Sequence, residues 1–262
     1  MDNHRSFDIK VPLSWNALSQ EQLRFLLETI VAVQNANSEY AFRSVADFAV
    51  QSRTMVASLC LFRWNNIKVD GFVGNYSLLL VQGGQFDCPA AALSEAVSLM
   101  EWVAEVPKFP VRLDTIGECR AADAQLNGLP FAKFLALENL WQGYIATKND
   151  DRLLDMAAIL YGSDSLSPSQ PEILGVFYWW ASVKQLFSDL YPHFFRLSDS
   201  DSATPDFRSL QRNMDTQIRA LSKGDITKEE LILASDCRRA LNELDALAGE
   251  YEEIKRKYPD HA

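Results

Sequence analysis

Phe134-Leu135-Ala136-Leu137-Glu138-Asn139-Leu140-Trp141-Gln142-Gly143-Tyr144 sets Phe134, Leu137, Trp141 and Tyr144 at spacings of three, four and three. That stripe falls on one side of an α-helix and fits no strand, whose faces alternate at every residue. Asn149-Asp150 interrupts it, and Leu153, Leu154, Ala157, Leu160 and Tyr161 then begin a second helical pattern. Ser167-Pro168 and Pro171 suit the start of a third, which Pro192 stops. In that third segment Phe177, Tyr178, Trp179 and Trp180 are bulky on every side, which predicts a helix at the centre of the fold. The aromatic cluster is expected to be core, with a ligand pocket or a protein interface as the alternative.

Further toward the C-terminus, the polar residues 197–205 carry no periodicity and read as a linker, placed near 198–205. Residues 207–221 read as a helix ended by Lys223-Gly224, with Gly224 at C′. Thr227 with Glu230 resembles a capping box, and a single last helix is expected from there to about Tyr258. Its apolar seam is Ala234, Cys237, Leu241, Leu244, Ala248 and Tyr251, expected to dock within the chain as a hairpin with the 207–221 helix, with exchange between subunits as the alternative.

In the N-terminal direction, Ser19 and Gln22 form a candidate capping box ahead of Leu23, Leu26, Leu27, Ile30 and Val31. A second helix is expected over residues 38–63, with Phe42, Val45, Ala46, Ala49, Met55 and Leu59 as its buried face. Residues 67–72 and 76–81 are β-prone around Gly74-Asn75, a hairpin turn, and Gly83-Gly84 is expected to close that insert. Pro89 then opens a helix bearing Leu93, Ala96, Val97, Met100 and Val103, and residues 109–113 read as extended chain with strand at Val111–Leu113. The predicted fold is mainly α: an irregular multi-helix bundle with a small β-hairpin insert in the N-terminal half. Residues 1–128 form the helical region with the insert and residues 129–262 an all-helical region, compatible with one shared domain.

The 262 residues carry 35 acidic and 25 basic side chains, a net charge of −10. That sign opposes both phosphate neutralisation and anionic membrane surfaces, so neither nucleic acid nor membrane is an expected partner. The longest apolar or small run, residues 173–183, is too short to span a bilayer. Cys60, Cys88, Cys119 and Cys237 have no close pair and His4, His193 and His261 are scattered, so no metal or disulfide framework is expected. His193 follows a helix end, where it is expected near helix carbonyls. Gly83-Gly84 lacks the Lys-Ser/Thr pair of a phosphate loop. Glu138 and Asp155 lack the histidine that helical di-metal sites require. No catalytic, cofactor-binding or metal-binding residue is nominated.

Several phrases together resemble a family of bacterial proteins associated with prophages and other mobile elements. They are Leu13-Ser14-Trp15-Asn16-Ala17-Leu18-Ser19, Leu61-Phe62-Arg63-Trp64 and Phe109-Pro110-Val111-Arg112-Leu113. Most specific is Pro130-Phe131-Ala132-Lys133-Phe134 through Glu138-Asn139-Leu140-Trp141-Gln142-Gly143-Tyr144 to Ala158-Ile159-Leu160-Tyr161, with Met214 to Leu221 and Glu243-Leu244-Asp245 further on. The resemblance implies a role in virion morphogenesis, near tail assembly, and carries no site residue with it. The expected function is therefore a non-enzymatic structural or assembly protein working through contacts with itself or other assembly proteins. Its expected place is the cytoplasm or the virion. A host adaptor or regulator, and an enzyme whose site shows no motif, stand as alternatives.

Overall fold

Ser19 Oγ accepts the Gln22 N–H at 3.2 Å and Gln22 Oε1 accepts the Ser19 N–H at 2.9 Å, so the expected box starts α1 (Gln20–Asn37). Leu23, Leu26, Leu27, Ile30 and Val31 are all buried. The computed structural model describes residues 7–37, 45–198 and 207–257. Among these residues there are ten α-helices and two small antiparallel sheets, and the fold is mainly α. The chain divides into two compact units, Met1–Pro107 with Gln170–Gly175, and Lys108–Ser169 with Val176–Ala262.

In the first unit α1 packs against α2 (Val45–Trp64). Residues 38–44, where the sequence places the start of this second helix, lie outside the described residues, as do the side chains of Val45, Ala46 and Ala49. The buried face of α2 is Val56, Ala57, Cys60 and Leu61, whereas Met55 and Leu59 are 46% and 44% exposed. The expected face is thus rotated: polar residues such as Asp47, Ser52, Arg53 and Arg63 are spread round α2, and periodicity there does not single out one side. Ahead of α1, Trp15 Nε1 donates to the carbonyls of Trp102 and Glu105, and Trp102 Nε1 donates to Pro12 O at 3.0 Å. The two indoles meet edge-on at 5.8 Å, fastening the extended lead-in to the turn at Glu101–Ala104.

β1 (Ile67–Val73) and β2 (Tyr76–Val81) form the expected hairpin around Gly74-Asn75. Gly83-Gly84 does not close the insert. Gln82 and Gly83 both take positive φ, 50° and 79°, as a two-residue primed turn requires, and the chain returns as β3 (Gly84–Pro89). α3 (Ala90–Ser98) follows, burying Leu93, Ala96 and Val97, with Met100 and Val103 buried in the 3-10 turn beyond it.

The second unit opens with irregular chain. Val111–Leu113 is not a strand; the short pair is β4 (Thr115–Ile116) with β5 (Cys119–Arg120). Leu113 O accepts Tyr161 Oη at 2.8 Å, Ala122 N–H donates to Leu160 O at 2.8 Å, and Trp179 Nε1 donates to Ala124 O at 2.7 Å. These anchors place residues 108–128 with the C-terminal helices, although nothing periodic in their sequence announces it. α4 (Phe131–Thr147), α5 (Asp151–Tyr161) and α6 (Gln170–Leu190) follow. Phe134 lies 5.9 Å from both Trp180 and Phe187, and Phe187 lies 5.5 Å from Tyr191. Trp179 and Trp180 are 1% and 0% exposed, while Phe177 and Tyr178 are half-buried.

Pro192 ends α6 and also starts α7 (Pro192–Ser198). The expected linker lies outside the described residues from 199 to 206. α8 (Phe207–Ser222) ends with the Gly224 N–H on Arg219 O and the Lys223 N–H on Ala220 O. Lys223, with φ 54°, therefore occupies C′ and Gly224 the next position, one later than expected.

The expected single last helix is two. Asp225, not Thr227, caps the turn at Ile226–Lys228, which leads into α9 (Glu229–Ala234). The chain breaks at Ser235-Asp236 before α10 (Cys237–Lys257). There Ser235 O accepts the Phe131 N–H at 2.8 Å, and Leu129 O accepts the Cys237 N–H at 2.8 Å. The break satisfies the first backbone donor of α4, which Pro130 cannot cap with its side chain. Of the expected seam, Cys237, Leu241, Leu244 and Ala248 are buried; Ala234 is exposed and Tyr251 is 54% exposed. α10 docks within the chain, chiefly on α7 and then on α8 and α4.

Candidate interaction surface

The residues singled out for chemistry do not come together. His193 stands three residues past the end of α6, in the first turn of α7. Its N–H and that of Phe194 donate to Asp245 Oδ1 at 2.8 and 2.9 Å, and its Nδ1 lies 3.0 Å from Glu252 Oε2. Glu138 is held by Lys184 Nζ at 2.9 Å, and that ammonium also sits 4.6 Å from the centre of the Phe195 ring. Asp155 lies 3.9 Å from Arg152 on the helix surface. Among the described residues no three His, Cys, Asp or Glu side chains converge as a metal site would require. Burial pushes the thiols of Cys60 and Cys237 up to about 12, which keeps both protonated and inert at neutral pH.

A shallow groove of about 580 Å³ runs along α1 and the end of α2. Glu21, Arg24, Phe25, Glu28, Arg63 and Trp64 line it. Arg24 is paired with Glu172 at 2.9 Å, and Arg63 lies over Phe25 at 5.8 Å. Both guanidinium groups are thus engaged in contacts with the protein itself.

The outer face of the three-stranded sheet is different. The register sets Tyr76 between Val73 and Pro89, Leu78 between Gly71 and Asp87, and Leu80 between Lys68 and Gln85. Alternation puts these three rows on one face, and Ser77, Leu79 and Val81 on the other. The inner residues are 1%, 0% and 6% exposed, with α2 against β1 and α3 against β3. On the outer face Tyr76 is 50% and Val73 62% exposed, and Leu78 and Leu80 are half-buried. Phe72, on the inner side of the tip, is 73% exposed. An apolar line thus runs the length of the central strand where alternation ordinarily places polar groups. Sequence reading found the hairpin but not this face, because only the register with β3 shows which neighbours flank Tyr76, Leu78 and Leu80.

Both edges of the sheet are guarded. β1 carries a register shift between Val69 and Gly71 beside Lys68 and Asp70, and β3 carries Asp87 and ends in Pro89. Such devices discourage pairing of an added strand, leaving the face as the available contact. Among the described residues no helix is long and apolar enough to cross a membrane. Comparison with known protein families, with curated proteins and with solved structures returns no match.

Proposed function

We propose that the protein is a non-enzymatic assembly component that binds a protein partner through the outer face of its three-stranded sheet. The observation that carries the reading is the apolar line Tyr76, Leu78 and Leu80, extended by Val73 and Pro89 and bordered by Lys68, Asp87 and Gln85. A continuous apolar strip with a polar rim has the composition of an interface. The guarded edges favour a partner that lays an apolar helix or a second sheet face on it over one that adds a strand. The resemblance to prophage-associated proteins supports a partner in virion assembly.

The test is purification of the tagged protein from an induced phage lysate, beside a Tyr76→Ser/Leu78→Ser variant. The expected result is that the wild type travels with virions or an assembly intermediate and the variant, with unchanged circular dichroism, does not. Equal recovery of both with particles would overturn the role of this face. Recovery of neither with particles would overturn the assembly role.

A further inference from the structure

The seam of α10 outlasts the helices that cover it. Leu241 and Leu244 are 0% and 5% exposed, Ala248 is 8% exposed, and the same stripe continues as Tyr251 at 54% and Ile254 at 59%. Over residues 250–257 every side chain except Glu252, which is taken up by His193, is exposed. Glu250 lies four residues before Ile254 and Lys257 three residues after it, so both flank the uncovered stripe on one side. Lys257 has an exposed contact at 3.8 Å with Glu253, too weak to hold it from a better partner.

From this charge arrangement we infer that the end of α10 pairs with the same segment of a second copy, antiparallel, centred between Glu253 and Ile254. A twofold contact of that kind sets Glu250 of each copy opposite Lys257 of the other, forming two identical ion pairs around an apolar centre of Ile254 and Tyr251. A parallel arrangement would set Glu250 against Glu250 and Lys257 against Lys257. The contact spans about two helical turns on each copy, which is below the size of a stable interface, so the dimer is weak and concentration-dependent. This surface is separate from the sheet face, and the inference does not rest on that reading.

Sedimentation equilibrium at increasing concentration and low salt tests it. The wild type is expected to shift toward the dimer mass, and added salt to reverse the shift. Glu250→Lys alone and Lys257→Glu alone should each abolish association, since each sets like charges opposite one another. An equimolar mixture of the two single variants should recover it, because a Glu250→Lys copy offers two cations to the two anions of a Lys257→Glu copy. Both positions are exposed, so circular dichroism should be unchanged. A wild type that stays monomeric throughout, or single variants that associate as the wild type does, would overturn the inference, as would a mixture that fails to associate. Tyr76→Ser/Leu78→Ser should dimerise like the wild type, which separates this result from the fate of the sheet face.

Discussion

Asp236 uses both carboxylate oxygens: Oδ1 accepts the N–H groups of Arg238 and Arg239 at 2.9 and 3.1 Å, and Oδ2 accepts that of Gly128. It caps α10 and holds the loop before α4 with one side chain. Asp236→Ala is expected to cost about 1–3 kcal/mol, read by chemical denaturation, from the lost cap and the donor left on Gly128. Thr227→Ala, at the position the sequence pattern presents as the cap, should cost under about 0.5 kcal/mol. Asp123 is a second such residue. Burial works to raise its carboxyl pKa, but the N–H groups of Asn127 and Gln125, the Asn127 amide and the charge of Arg112 together hold it below the ordinary value. A lowered folded-state pKa contributes stability that is present above the unfolded value, near 4, and is lost as pH falls through the folded one. The difference in melting temperature between wild type and Asp123→Ala should therefore be constant at neutral pH and shrink as the solution is acidified below about pH 4.

At the scale of elements, the seam of α10 separates into a covered and an uncovered half. Leu241 is fully buried, so Leu241→Ala should cost about 2–5 kcal/mol by transfer and cavity formation. Tyr251→Ala should change stability by less than about 0.5 kcal/mol, because Tyr251 is already largely in water. Equal losses from the two, measured by urea unfolding, would contradict the observed division of the seam. The helix starts and stops follow the same logic of local against tertiary supply. α1 is capped by its own Ser19 and Gln22, whereas α4 takes its first cap from Ser235 O and α7 from Asp245. Only the first kind is legible from neighbouring residues.

Across the whole chain the four cysteines report the packing of both units. Cys60 and Cys237 are 0% exposed with thiols pushed up to about 12 by burial, while Cys88 and Cys119 are half-buried. A thiol reagent at mild alkaline pH should label Cys88 and Cys119 in the native protein. Cys60 and Cys237 should label only when the first and second units unfold, respectively, as peptide mapping along a denaturant series would show. Rapid native labelling of either buried thiol would contradict the packing described.

The sequence by itself determined the helical class, the β1–β2 hairpin, the α1 box and the central place of Trp179 and Trp180. In each the deciding interactions run between residues a few positions apart or follow from bulk apolarity. The tertiary structure alone decided the rotated face of α2, the return of the chain as β3, the break at Ser235-Asp236 and the exposure of Tyr76 beside Val73 and Pro89. In these the partner lies far along the chain, as Leu129 does from Cys237, or the outcome depends on which of several apolar faces another element covers first. Local spacing registers that a face is apolar; what buries it, or leaves it to meet another protein, is set by contacts that periodicity does not encode.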